Sequence, residues 1–195
     1  MAEAPAPPVA AGASRPRALG YWPVLVGAAT CAQIALDLVA GVELAKVLAG
    51  SAVVYLGAAA AGSRRAAWPV FALAVLVIAG CDIAAPDFEA TWAVLGLAVL
   101  LAGYGLARRA HHRAPPRRLL TVQGAALLAF AAISVAALHA STTAGSILVA
   151  AGLLAHAGWD VYHYRARTVV ASSLAEFCMV LDTGLAVVIV ALVVA

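Results

Sequence analysis

The sequence predicts an all-α, polytopic integral membrane bundle with seven transmembrane helices. The 195 residues are 65% hydrophobic and only 11% charged, whereas a soluble domain is about half apolar and a quarter charged. Seven apolar runs follow one another, each near the ~20 residues that a membrane-spanning helix needs. The arginines alternate with these runs so that all of them fall on one side of a membrane. Composition, length and charge therefore give the same fold class.

The apolar runs place the seven spans. The predicted spans are residues 21–40, 42–62, 66–83, 91–107, 119–138, 144–162 and 169–195. The first two are separated by a very tight turn at Gly41, without which they would form one run of about 40 residues, too long to cross once. Glu43 and Lys46 indicate that this turn lies at the membrane surface.

The charges predict the orientation. Arginines precede the first span and lie between spans two and three, four and five, and six and seven, while the other side carries Lys46 and acidic residues. Cytoplasmic loops attract Lys and Arg, so we expect the N-terminus inside, the C-terminus outside, and a multi-pass protein of the cell membrane. The net charge of +3 then reflects topology, and we expect a lipid bilayer rather than nucleic acid as partner.

The chain is predicted to have two regions. Residues 1–20 are rich in Ala and Pro, which is typical of a disordered tail, here on the cytoplasmic side. Residues 21–195 form the seven-helix transmembrane domain. No cleavage site follows the first span, so we expect an uncleaved anchor.

The last two spans carry ionisable residues that packing does not require. His156, Asp160 and His163 are spaced i, i+4, i+7, which puts them on one helix face. Glu176 and Asp182 follow on the last span. A charge in the hydrocarbon costs at least ~2.5–3.5 kcal/mol, so such residues are usually buried, paired and functional.

Counting residues from the cytoplasmic ends of the spans predicts which of these groups meet. His156 and Glu176 come out at similar depth on neighbouring spans, so we expect a contact between them, with Tyr55 or Gln123 nearby. Asp182 comes out deeper.

Three chemistries fit this cluster. The first is a divalent metal such as zinc or iron, with His156, Asp160, His163 and Glu176 as candidate ligands. The second is general acid–base catalysis, with Glu176, Asp182, His156 and Asp160 as candidate catalytic residues. The third is an ion path for transport, as polar groups within a membrane often provide.

Each of these residues also has a purely structural explanation. In that explanation Asp160 pairs with Arg165 or Arg167 at the interface, His156 is a hydrogen-bonded packing residue, and His163 is an interfacial polar residue. On that interpretation the chain is a non-enzymatic membrane subunit. A small transporter would need a polar path from Asp182 outwards.

The run HAGWDVYHYRAR followed by SLAEFCMVLD, within residues 156–182, resembles a pattern of small uncharacterised multi-pass bacterial membrane proteins. The chain is also similar, in size, span count and buried carboxylates, to the integral-membrane terpene cyclases. That resemblance implies an enzyme whose intramembrane acids, here Glu176 and Asp182, protonate an isoprenoid substrate. A weaker similarity is to zinc-dependent membrane hydrolases.

The leading hypothesis from the sequence is therefore an enzyme that does acid–base chemistry on a lipid or isoprenoid ligand within the bilayer. The alternative is a small transporter or a non-enzymatic membrane subunit with a structural or metal-binding polar cluster. No cofactor is specified beyond a candidate divalent metal.

Overall fold

A computed structural model describes residues 20–110 and 117–195, and within them the chain folds into seven α-helices. The helices are α1 (Trp22–Asp37), α2 (Ala45–Ala61), α3 (Ala67–Ala84), α4 (Ala90–Ala110), α5 (Arg117–His139), α6 (Thr142–Ala166) and α7 (Ser172–Val194). Short 3-10 turns, Gly41–Leu44 and Arg64–Ala66, precede α2 and α3. The predicted tail, apart from Gly20, and the middle of the basic loop before α5 lie outside the described residues.

The prediction of an all-helical, membrane-compatible chain is confirmed. Six segments, α3 to α7 and α2 with its preceding turn, are long and apolar enough to cross a membrane. The remaining helix, α1, is apolar but has only 16 residues. At 1.5 Å per residue it is ~24 Å long, against a hydrocarbon thickness of ~30 Å.

The tight turn predicted at Gly41 is present and is held by specific contacts. A side chain at Gly41 would collide with Ile189 and Ser146, so only glycine allows this close approach. The backbone N–H of Val42 donates to the Ser146 hydroxyl oxygen at 3.1 Å. The Glu43 carboxylate accepts a bond from the Ala40 N–H at 3.0 Å. The turn is thus anchored to α6 and α7.

Helix α2 lies at the centre of the bundle. It packs against α3, α4, α5 and α6, while α6 and α7 form the most extensive helix pair and α1 packs on α7. Nearly all of α2 is buried, because most of its residues are Ala, Gly or Ser, which let neighbouring helices approach closely. The polar residues of α6 and α7 therefore face a crowded, apolar interior.

Polar contacts hold the two ends of the bundle. At one end, Arg64 donates from Nε to the Val170 carbonyl at 3.0 Å, and Arg108 donates to the Ala61 carbonyl at 2.6 Å. At the other end, Lys46 pairs with both carboxylate oxygens of Asp82 at 2.8 Å. The arginine-rich end therefore contains the start of α3, the end of α4 and the loop between α6 and α7.

Candidate functional site

A hydrogen bond between α6 and α7 forms the centre of the candidate site. Nδ1 of His156 lies 2.8 Å from Oδ2 of Asp182, and the two residues are 1% and 0% exposed. His156 lies ten residues before the end of α6 and Asp182 ten residues after the start of α7. Each is therefore ~15 Å from the arginine-rich end of its helix, which places the two side chains at the same level.

Asp160 brings a second carboxylate to the same ring nitrogen. Its Oδ2 lies 3.3 Å from Nδ1 of His156, one helical turn away. The Tyr55 hydroxyl of α2 donates to Asp160 Oδ1 at 2.6 Å. Asp160 is fully buried, so the expected alternative of an interfacial pair with Arg165 or Arg167 is not formed.

Three polar atoms in this cluster have no hydrogen-bond partner among the described residues: His156 Nε2, Asp160 Oδ2 and Asp182 Oδ1. The His156 ring packs edge-on against Tyr55 and Phe130, with centroids 5.5 and 5.0 Å away. Buried polar atoms are almost always paired, and exceptions often belong to functional sites or to a bound ion or water. The cluster is thus more polar than its own bonds satisfy.

His163 belongs to a separate, saturated network next to this cluster. Its Nδ1 lies 3.0 Å from the Trp159 carbonyl oxygen, and its Nε2 lies 3.2 Å from Nε2 of Gln123. The Trp159 indole N–H in turn donates to Gln123 Oε1 at 3.3 Å. Both ring nitrogens of His163 are therefore occupied, and the network orients the ring edge-on to Tyr55.

The expected contact between His156 and Glu176 is wrong, since the partner of His156 on α7 is Asp182. Glu176 is half-buried and forms no hydrogen bond or ion pair with any other residue that the structure describes. At 3.6 residues per turn, Glu176 and Asp182 point about 120° apart on α7. Glu176 consequently lies outside the buried cluster.

The depth estimate was wrong because α7 begins later than the hydropathy suggests. The helix starts at Ser172, so Glu176 is only ~6 Å from its end. Positions 169–171 belong to the preceding loop. The serine pair Ser172-Ser173 is the sequence signal that could have corrected this boundary, because serine is favoured at helix starts.

The cluster has the composition of a metal site, although with a different ligand set from the one expected. Among the described residues, His156, Asp160 and Asp182 each offer a ligand atom, and these atoms lie within 4.8 Å of one another. One nitrogen and two oxygens suit zinc or another divalent metal with an open position. The expected ligands His163 and Glu176 do not join this group.

Two surface grooves border α6 and α7 away from the cluster. An apolar groove of about 340 Å³ lies between the halves of α6 and α7 farther from the arginine-rich end, with Ile147, Leu154 and Ile189 in its wall. A basic groove of about 410 Å³ lies at the arginine-rich end. Neither groove is lined by His156.

No protein-family model matches the chain, and neither the curated proteins nor the solved structures searched include a significant match. Function is therefore inferred from the buried cluster and its surroundings.

Proposed function

We propose that the chain is an integral membrane enzyme that carries out acid–base chemistry on a lipid or isoprenoid substrate within the bilayer. Asp182 and His156 are the proton-handling pair, and Asp160, fixed by Tyr55, orients them. The observation that carries this assignment is the asymmetry of the His156 ring. Nδ1 is bound to Asp182, while Nε2 is buried without a described partner.

This asymmetry is what a general base or acid requires. A carboxylate on Nδ1 holds the imidazole in one tautomer and orientation, and stabilises the charged ring once it takes a proton. The opposite nitrogen, Nε2, is then free to accept or return a proton. A histidine that served only to join two helices would need no second buried carboxylate beside the same nitrogen.

The surroundings favour an apolar substrate. Beside the two carboxylates, the aromatic rings of Phe130 and Tyr55 pack against the His156 ring. Binding sites for apolar ligands combine such walls with a few converging polar groups. The resemblance to integral-membrane terpene cyclases rests on the same feature, a carboxyl group deep in a small helical bundle. Of the two acids considered from the sequence, Asp182 has this position.

The proposal includes seven crossings of the cell membrane, with the N-terminus in the cytoplasm and the C-terminus outside. Support for α1 as the seventh span comes from its course along α7. Trp22 lies against Trp68 at the arginine-rich end, with centroids 5.5 Å apart. Farther along the two helices, Gly27 of α1 lies against Phe177 of α7, and Cys31 of α1 lies against Gly184 of α7. Cytoplasmic retention of arginine-rich loops gives the orientation.

A transport function has less support. Its polar path would continue from Asp182 through Gln33 and Asp37, but both of those residues are exposed on α1. The buried face of α7 beyond Asp182 instead consists of apolar side chains, among them Leu185 and Ile189. An ion would meet hydrocarbon on that route.

A metal-dependent version of the same enzyme is the second candidate. It is favoured by the closeness of the ligand atoms of His156, Asp160 and Asp182. A divalent cation would satisfy the unpartnered oxygens of both carboxylates and offset their charge, which is costly to bury.

Two measurements test these candidates. In a deletion strain of the source organism, restoring the unaltered gene should change a lipid or isoprenoid species that Asp182→Asn leaves unchanged at equal membrane abundance. Elemental analysis of the purified protein separates the two versions. One bound divalent metal per chain, lost in Asp160→Asn, would establish the metal-dependent enzyme. Full turnover after chelation would exclude it.

A further inference from the structure

The basic groove at the arginine-rich end has features of a binding site for a phosphate group. It is lined by Arg64, Tyr164, Arg165, Arg167 and Ser172. None of these residues is acidic, and the three guanidinium groups are permanently charged hydrogen-bond donors. Guanidinium groups recognise phosphate through paired N–H donors and are preferred where that geometry matters.

The arginines of the groove differ in how they are held. Arg64 is fixed by two bonds, from Nε to the Val170 carbonyl at 3.0 Å and from Nη2 to the Ser172 hydroxyl at 3.2 Å. Its remaining N–H groups are left for a ligand. The side chains of Arg165 and Arg167 make no hydrogen bond or ion pair within the described part of the chain, so their guanidinium donors are available.

The backbone of the loop between α6 and α7 is strained where it forms the groove. Arg167 has φ +51° and Val169 has φ +62°, a conformation that a β-branched residue rarely adopts. The Val170 N–H donates to the Thr168 carbonyl at 2.7 Å, closing a tight turn about Val169. Such strain persists where the surrounding structure enforces it, often at ligand sites. Here it brings Arg167 and Ser172 to the same groove.

Another groove, distinct from the apolar groove and here called the second groove, shares Arg165 with the basic groove and runs along the outward face of α6. It has a volume of about 480 Å³ and is lined by Gly158, Val161, Tyr162, Arg165 and Ala166. Gly158 is exposed with open space where a side chain would be. A ligand with an anionic head and an apolar chain would place its head among the arginines and its chain along this groove.

We propose that these two grooves together bind a lipid that carries a phosphate head group. Exposed Tyr162 and Tyr164 at this end support the assignment, because aromatic residues of this kind are enriched where lipid head groups lie. The site is separate from the His156 cluster, and it stands whether or not that cluster does acid–base chemistry.

Native mass spectrometry of the detergent-solubilised protein tests this site with phosphatidic acid, diacylglycerol and inorganic phosphate as probes. We expect phosphatidic acid to bind and Arg64→Gln to weaken it about tenfold, the loss expected for one charge-assisted hydrogen bond. Arg65→Gln is the matched control, since Arg65 is the neighbouring exposed arginine and does not line the groove. Equal weakening by both substitutions would overturn the site, because it would reflect net charge alone.

Filling the second groove separates a lipid from a free phosphate without altering any charge. Gly158→Leu should weaken phosphatidic acid binding and leave inorganic phosphate unaffected, while Gly96→Leu, another exposed helical glycine with open space, should change neither. Binding of inorganic phosphate in place of the lipid, insensitive to Gly158→Leu, would overturn the lipid assignment. Equal retention of diacylglycerol, which has the same chains but no phosphate, and phosphatidic acid would overturn the phosphate site.

Discussion

His156 on α6 and Asp182 on α7 are joined by a 2.8 Å hydrogen bond in the interior of the bundle, although 26 residues separate them in sequence. The bond crosses the most extensive helix pair of the fold, and both side chains are almost fully buried. A polar group without a partner in such a place costs more than the bond itself contributes. The pair consequently couples the stability of the bundle to its proposed chemistry.

The loss of Asp182 should destabilise the protein in a graded way. Asp182→Ala leaves the buried His156 ring without its partner on α7, which we expect to cost about 3–5 kcal/mol if the pair is ionised. Asp182→Asn keeps a hydrogen-bonding oxygen and should cost less. Thermal unfolding of the detergent-solubilised variants measures both. Equal stability of Asp182→Ala and the unaltered protein would contradict the buried pair.

The bond from Tyr55 to Asp160 should contribute measurably to stability. Tyr55→Phe keeps the ring contacts with His156 and His163 but leaves Asp160 Oδ1 without its donor, for an expected loss of about 1–3 kcal/mol. Tyr162→Phe is the control, because Tyr162 is 61% exposed and should change stability little. If both substitutions give the same unfolding temperature, Asp160 has another partner in solution.

The approach of α5 to α6 should not tolerate a methyl group at Gly145. A Cβ atom there would lie 2.5 Å from the Ala137 carbonyl oxygen of α5, so the helices must separate. Gly145→Ala should lower stability by about 1–3 kcal/mol, the usual cost of overpacking. Gly96→Ala, in open space, should be neutral or stabilising because alanine favours helix. An unchanged unfolding midpoint for Gly145→Ala would contradict this packing.

Reporter fusions test the proposed topology. Fusions after Arg65, Arg117 and Arg167 should report the cytoplasm, and fusions after Glu89 and Ala195 should report the outside, because arginine-rich loops are retained inside. Crossing by α1, which is shorter than the other six helices, requires a reporter ahead of it, and that reporter should also read as cytoplasmic. An external signal after Arg117 would contradict the seven-span arrangement.

The helices were largely predictable, because the composition and length of each apolar run indicate a helix that is able to cross a membrane. The turn predicted at Gly41 is present, because a run of about 40 apolar residues is too long to cross once and must be divided. The partner of His156 was not predictable in the same way. Helix α7 starts three residues later than predicted, which moves Glu176 toward the surface. Helix α6 ends at Ala166 rather than at residue 162, and the two differences together bring Asp182 level with His156.

The bond from Tyr55 to Asp160 shows a second limit. The depth of Tyr55, counted along its span, predicted that it lies near the cluster. The rotation of α2 about its own axis, however, decides which of its side chains contacts Asp160. Helix α2 is surrounded by other helices and is buried on nearly all sides, so its hydropathy carries no information about that rotation. Only the packed structure identifies the donor.

The most direct test is the turnover of the affected lipid in membranes containing equal amounts of Asp182→Asn, Glu176→Gln and the unaltered protein. Removing a general acid–base group typically costs 10²–10⁴-fold in rate, so Asp182→Asn should lose about that much. Glu176→Gln should stay within about twofold, since Glu176 lies outside the buried cluster and supplies no part of that catalytic step. Full turnover by Asp182→Asn, or a loss confined to Glu176→Gln, would contradict the assignment of Asp182 and His156 as the reacting pair.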